Sequence, residues 1–146
     1  MTQDEKNLLL EDICCRLPYG VKVHAKYIDT DVEVEKVGVL NMVDSDAVVA
    51  FTTDDTNCYN YVDIHEVKPY LFPMSSMNEE QKKECNFADD LDSDILDAAL
   101  CTNHYHRTGV PTVTYNLVDW CIKNHFDFRG LIVKGIAIDA TDKNIY

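Results

Sequence analysis

From Val21 to Val62 the chain alternates apolar and polar residues in short runs broken by polar turns, and this pattern restricts the fold more than any other feature. In VKVHAKY, Val21, Val23, Ala25 and Tyr27 alternate with Lys22, His24 and Lys26. That period of two is the signature of a strand with one wetted face. DVEVEKVGVLNMV repeats it, with Val32 and Val34 against Glu33 and Glu35. Beyond Lys36 the valines (Val37, Val39) continue on the other parity, which predicts a bulge or strong bend. Asp44-Ser45-Asp46 reads as a turn, AVVAF (Ala47 to Phe51) as a short buried strand, TTDDTN as a polar loop and CYNYV as the opening of another strand. Four or five short antiparallel strands over residues 21–67 predict a small SH3-like barrel.

Helical signals flank this region, so the predicted class is α+β in one domain over residues 1–146. Thr2 and Glu5 have capping-box spacing, and Leu9, Leu10, Ile13, Cys14 and Leu17 recur at helical intervals until Pro18 and Gly20. Residues 1–20 are thus the N-terminal helix. Residues 68–146 are read as a hinge and helical subdomain. In it, KPYLFP places an apolar patch between two prolines, over one end of the barrel. Ser76 with Glu79 is a second capping box that starts a helix at MNEEQKKEC. Ile95, Leu96, Ala99 and Leu100 form another apolar stripe. Thr114 to His125 is the last helix, with Leu117, Val118, Cys121 and Ile122 inward.

Apolar residues make up 46% of the chain, enough for a core. No window reaches the ~18 apolar residues of a membrane span. The start, MTQDEKNLLLEDICC, is acidic and lacks a secretory pattern. The expected location is cytoplasmic, within a bacterial host cell, and no membrane contact is expected. Six cysteines, two of them adjacent at Cys14 and Cys15, then read as reduced thiols, mostly small buried apolar groups. A formal net charge of −13 argues against direct nucleic-acid binding. The acids concentrate at Glu84, Asp89, Asp90, Asp92, Asp94 and Asp97, with no Lys or Arg among them. Such a run reads first as a solvated face. Its sharper reading is a surface that imitates a nucleic-acid backbone and fills a basic groove on another protein.

Several polar clusters invite a chemical reading. Cys101 and His104, with Cys121 and His125, resemble a zinc set, but both pairs fall in predicted helices and Cys121 lies on an apolar stripe, so packing is the favoured reading. Asp29 to Glu33 begins like a calcium loop but lacks the required Gly and Glu, since Val34 and Leu40 occupy those places. His104, His106 and Arg107 suit a helix C-terminus. With Arg129 they offer an alternative anion pocket, for instance for a nucleotide, although no glycine-rich phosphate cradle accompanies them. His125, Asp127 and Arg129 have no local nucleophile. In an extended segment Asp127 and Arg129 share one face and can pair, while Phe126 and Phe128 bury on the other and Gly130 supplies unusual torsions.

Three segments, LLLEDICCRLPYGVKV, VDIHEVKPYLFPMSSMNEEQKKE and VDWCIKNHFDFRGLIVKGIAIDATDKNIY, resemble an uncharacterised small protein family of gut Bacteroidetes bacteria and their phages. The likeness covers about half of the chain. It implies the family's fold and a phage or mobile-element setting, and it implies no activity. In that family the place of Cys121 is ordinarily apolar, which weighs further against zinc.

Taken together, the expectation is a non-enzymatic accessory protein. It would bind a host protein with a basic surface, inhibiting a defence or nucleic-acid-handling system through its acidic face and through Tyr59, Tyr61 and Tyr70. No cofactor is expected, and the sequence does not set the oligomeric state. The alternatives are a small-ligand or nucleotide-binding protein and a small zinc-binding protein.

Overall fold

The computed structural model describes residues 1–54, 56–85 and 111–146; for Thr56, Asn57, Cys85 and residues 111–116 it describes the backbone path. Helix α1 (Gln3–Arg16) starts as its sequence predicts. Thr2 Oγ1 accepts the Glu5 N–H at 3.2 Å and the Thr2 N–H donates to the Glu5 carboxylate at 2.7 Å. These bonds occupy two donors that a helix start leaves unmet. Its inward face departs from expectation. Leu9 and Ile13 are buried, but Cys14 is exposed, and the charged Asp12 and Arg16 are fully buried beside them. The turn at Leu17–Tyr19 ends on Gly20, whose φ of +66° suits a residue without a side chain.

Five strands follow: β1 (Lys22–Asp29), β2 (Val32–Val43), β3 (Val48–Thr53), β4 (Thr56–Asp63) and β5 (Val67–Pro73). Two short strands, β6 (Phe126–Asp127) and β7 (Ile138–Asp139), run parallel to β5. The order is β4-β3-β2-β1-β5-β6, with β7 also on β5. The α+β class holds; the closed SH3-like barrel does not. Beyond its pairing with β1, β5 bonds β7 through Leu71 and β6 through Phe72, no strand among the described residues joins β4 to β5, and the seven-stranded sheet is open. The stretch KPYLFP belongs to this sheet as β5 rather than lying over its end.

The β1–β2 register runs unbroken from Lys22↔Val39 to Asp29↔Val32, so no bulge stands at Lys36; the irregularity lies later, between Leu40 and Met42. The parity change has another cause. Val37 and Met42 place apolar groups on the outer face, where they stay exposed. Gly38 is required by close approach: a Cβ there would stand 2.7 Å from the Phe51 ring and 2.9 Å from the Thr52 carbonyl carbon.

Helix α2 (Glu79–Cys85) is capped two residues later than predicted. Asn78 and Gln81 exchange backbone-to-side-chain bonds at 2.9 and 2.8 Å, while Ser76 lies in a preceding turn and donates to the Pro73 carbonyl. Helix α3 (Pro111–Lys123) stops short of His125, which adopts a left-handed φ of +61°. The predicted helix around Ile95 to Leu100 lies outside the described residues.

Two apolar clusters result. In one, Leu9 and Ile13 of α1 pack on one face of the sheet against residues such as Val23, Leu40, Phe51 and Ile64. In the other, Met77, Leu117, Trp120, Cys121 and Phe126 gather, with Phe72 and Met74 against them. Each fully buried large apolar side chain in these clusters contributes about 1.5–3 kcal/mol. Among the described residues, no helix is long and apolar enough to cross a membrane.

Candidate functional site

The HFDFRG segment is an internal joint, built around a buried ion pair. Arg16 holds Asp12 through two bonds, Nε to Oδ2 at 2.7 Å and an Nη nitrogen to Oδ1 at 3.1 Å. Its remaining donors reach the carbonyls of Cys121 (3.3 Å), Ile122 (3.4 Å) and Phe126 (2.9 Å). Cys121 and Ile122 lie in the last turn of α3 and Phe126 in the strand after it, so α1 supplies donors and the positive charge that a helix C-terminus favours. The Phe128 ring lies near two guanidiniums, those of Arg16 (5.8 Å) and Arg129 (5.1 Å).

His125, Asp127 and Arg129 diverge from one another. Asp127 does not pair with Arg129; its carboxylate accepts the Leu131 and Ile132 N–H groups at 2.8 Å each and so pins the turn that follows. Arg129 reaches back to α1, bonding Glu11 at 3.2 Å and lying 3.5 Å from Asp12. Gly130, at φ +71°, makes the turn as expected. His125 stacks on Tyr146 at 4.4 Å, and its Nδ1 is buried without a hydrogen-bond partner among the described residues. Burial, reinforced by the Arg16 charge, pushes its pKa down to about 4, against a backbone hydrogen bond with Tyr19 that acts the other way. The imidazole is therefore neutral at physiological pH. Tyr146 in turn donates its hydroxyl to the Tyr70 carbonyl (2.8 Å) and accepts the Lys22 N–H (3.1 Å). Enclosure of that hydroxyl pushes its pKa up to about 12, although the residue is 46% exposed.

The candidate interface residues separate in the same way. Tyr59 and Tyr61 stand on the outer face of β4, 56% and 60% exposed, with ring centroids 6.3 Å apart. The register carries them across to Thr52 and Ala50 of β3, and on to Val39 and Met42 of β2. Tyr70, expected to join them, is only 6% exposed: it sits in β5 with its ring against His24 and its carbonyl under Tyr146. Glu84 is exposed on α2. Asp89, Asp90, Asp92, Asp94 and Asp97 lie outside the described residues, as do Cys101, His104, His106 and Arg107.

For the zinc reading, Cys121 is buried with its Sγ 4.0 Å from Met74 Sδ, while His125 packs on Tyr146. The described residues hold no group of three metal-ligating side chains. Cys14, Cys15 and Cys58 are exposed, against the expectation of buried thiols. The first two fall on the side of α1 away from the sheet, because Asp12 and Arg16 take the inward positions.

A cleft of about 530 Å³ opens beside the joint. Phe72, Phe126, His125 and Tyr146 form its apolar side, and Gln81, Lys123, Asn124 and Thr141 are among its polar groups; among the described residues no Asp or Glu side chain lines it. Sequence reasoning missed the Asp12–Arg16 pair. The only signal for it was the four-residue spacing on one helix face, which also describes an ordinary surface ion pair. The chain matches no protein-family model, no curated protein and no solved structure.

Proposed function

We propose that this is a non-enzymatic binding protein that engages a basic protein partner through the outer face of its open sheet. The observation that carries this reading is the tyrosine pair: Tyr59 and Tyr61 side by side, both more than half exposed, beside exposed Met42. Exposed aromatic groups gathered with aliphatic ones mark interaction surfaces. The charge supports the sign of the partner. From Val37 to Val67 there are six acids and no Lys or Arg. By contrast, Lys26 at the β1–β2 end bonds Glu33 (2.6 Å) and Glu35 (3.1 Å). The resemblance to phage-borne proteins makes a bacterial host protein the natural target, with inhibition of a defence or nucleic-acid-handling system as the concrete form.

The test is affinity capture from bacterial host lysate with the parent chain and with Tyr59→Ser/Tyr61→Ser. A basic protein held by the parent, lost from the variant and released by salt is the expected result. Equal capture by both chains, or retention indifferent to salt, rejects the reading.

The cleft supports a second reading, a small neutral or anionic ligand, because Lys123 lines it and, among the described residues, no Asp or Glu side chain does in a chain of net charge −13. Arg129, which the sequence offers to such a pocket, is instead engaged with α1. A thermal-shift screen with nucleotides decides: stabilisation that Lys123→Ala removes supports it, and no stabilisation by any of them ends it.

A further inference from the structure

Strand β4 is the uncovered edge of the sheet among the described residues. The opposite flank is shielded, because β6 and β7 line β5. Edges left open in monomeric proteins ordinarily carry proline, lysine, a bulge or very few residues. β4 runs eight residues, TNCYNYVD, with neither proline nor lysine, and its one register irregularity lies at its start, between Thr56 and Tyr59, leaving Tyr59 to Asp63 in regular register.

The ladder shows which backbone groups the edge offers. The Ile64 N–H bonds the Ala47 carbonyl at 3.0 Å. This makes Val48↔Asp63 a non-hydrogen-bonded pair and fixes the alternation along the rest of β3–β4. Val62 and Asn60 therefore turn their N–H and C=O groups toward β3, while Tyr61 and Tyr59 turn theirs outward. The edge also has a defined stop: the Asp63 N–H is taken by the Glu66 carboxylate at 3.0 Å. The two outward-facing positions are the same two that hold the exposed tyrosine rings.

We infer that β4 pairs with an extended, lysine- or arginine-bearing segment of the partner, which joins the sheet as an added strand beside Tyr59 and Tyr61. This inference rests on the proposed partner-binding role and specifies its mode. Main-chain bonds to Tyr59 and Tyr61 provide attachment, and alternate side chains of the incoming strand lie against the tyrosine rings. Asp54, Asp63 and Glu66 flank the edge, no Lys or Arg lies between Val37 and Val67, and His65 stands 3.7 Å from Asp63. A second copy of this chain would bring a further set of these acids to the seam, and like charges across an interface are costly. A cationic segment matches them.

The probe is an acetylated octapeptide of alternating Lys and Val, compared with its counterpart N-methylated at every peptide bond. The two share charge and side chains, but the second has no backbone donors. Amide hydrogen exchange of the intact protein is read residue by residue at low salt. Without peptide, the Tyr59 and Tyr61 amides exchange faster than those of Asn60 and Val62. The unmethylated peptide at millimolar concentration slows both tyrosine amides by about tenfold or more, and the methylated one leaves them unchanged. Absence of that protection, or equal protection by both peptides, overturns strand pairing; if Tyr59→Ser/Tyr61→Ser still abolishes partner capture, the tyrosine-face reading survives it. Protection that appears without peptide and grows with protein concentration also overturns it, in favour of self-pairing. Protection of the edge amides that persists in Tyr59→Thr/Tyr61→Thr keeps strand pairing and removes the tyrosines from the proposed function.

Discussion

The two ends of the sheet treat the same residue types in opposite ways. At the β5 end, Tyr70 is buried, the Tyr146 hydroxyl bonds its carbonyl, and Asp12, Arg16 and Asp127 spend their charges on one another and on backbone groups. At the β4 end, Tyr59 and Tyr61 stand in solvent, and from Val37 to Val67 the sequence holds six acids and no Lys or Arg. A buried polar group must be fully bonded or it destabilises the fold, whereas an exposed one is held by water and remains available. Chemical richness alone is therefore a poor guide to function in this chain. The crowded HFDFRG segment is consumed by architecture, and the plainer CYNYV strand retains its unspent groups.

Substitutions can break this contrast. The largest effect is expected at Arg16, where Arg16→Met leaves Asp12 buried beside Arg129 alone and removes the guanidinium bonds to the carbonyls of Cys121, Ile122 and Phe126. A loss of about 3–5 kcal/mol in chemical denaturation is expected. Asp12→Leu/Arg16→Met should recover part of that loss, because no buried charge is left uncompensated at the site. A single variant as stable as the parent would mean that the ion pair does not hold α1 to α3.

Acid should expose the same end through His125. Its pKa is about 4 when folded and 6.5 as a free side chain, so the fold prefers the neutral ring. Above pH 6.5 both states are neutral and nothing is lost. As pH falls toward 4 the unfolded chain takes up a proton that the folded chain refuses, and stability declines across that window by about 3 kcal/mol in total. His125→Asn keeps a residue that tolerates positive φ but does not titrate. The difference in pH slope between parent and variant isolates the histidine from the carboxylates, and parallel slopes would contradict its depressed pKa. A smaller effect is expected from Asp127→Ala, which removes two charge-assisted bonds to the turn at Leu131 and Ile132 and should cost about 2 kcal/mol by the same denaturation measurement.

The reach of the sequence follows from what each signal depends on. The Thr2/Glu5 box was legible because a cap is a local bargain among neighbouring residues. The alternation of Val21, Val23 and Ala25 was legible because a strand's faces follow from period alone. Burial of Asp12 and Arg16 was not legible: it depends on carbonyls more than a hundred positions away, and charged residues are expected at the surface. Tyr70 and Tyr59 could not be told apart either, since both sit at strand positions and the groups that pack on Tyr70, His24 and Tyr146, come from distant parts of the chain. The parity change at Lys36 had two readings, a slipped backbone or apolar groups moved to the outer face, and only the strand register separates them. Of the acidic run, the described residues include Glu84 alone.

The smallest effect on stability is expected where the proposed function is greatest. Tyr59→Thr and Tyr61→Thr keep strand-forming residues on the outer face of β4, away from the buried clusters, so each should change unfolding free energy by no more than about 0.5 kcal/mol. Their effect on partner capture should nonetheless be large, since a few aromatic anchors ordinarily carry most of an interface's energy. Denaturation midpoints and salt-dependent capture measured on the same preparations set the two quantities side by side. The β5-end variants should lower stability and, while folded, still capture the partner; the β4-end variants should do the reverse. If Tyr59→Thr and Tyr61→Thr destabilise the fold by 2 kcal/mol or more, roughly what a core aliphatic truncation costs, the tyrosines belong to the architecture as well, and the contrast between the two ends of the sheet fails.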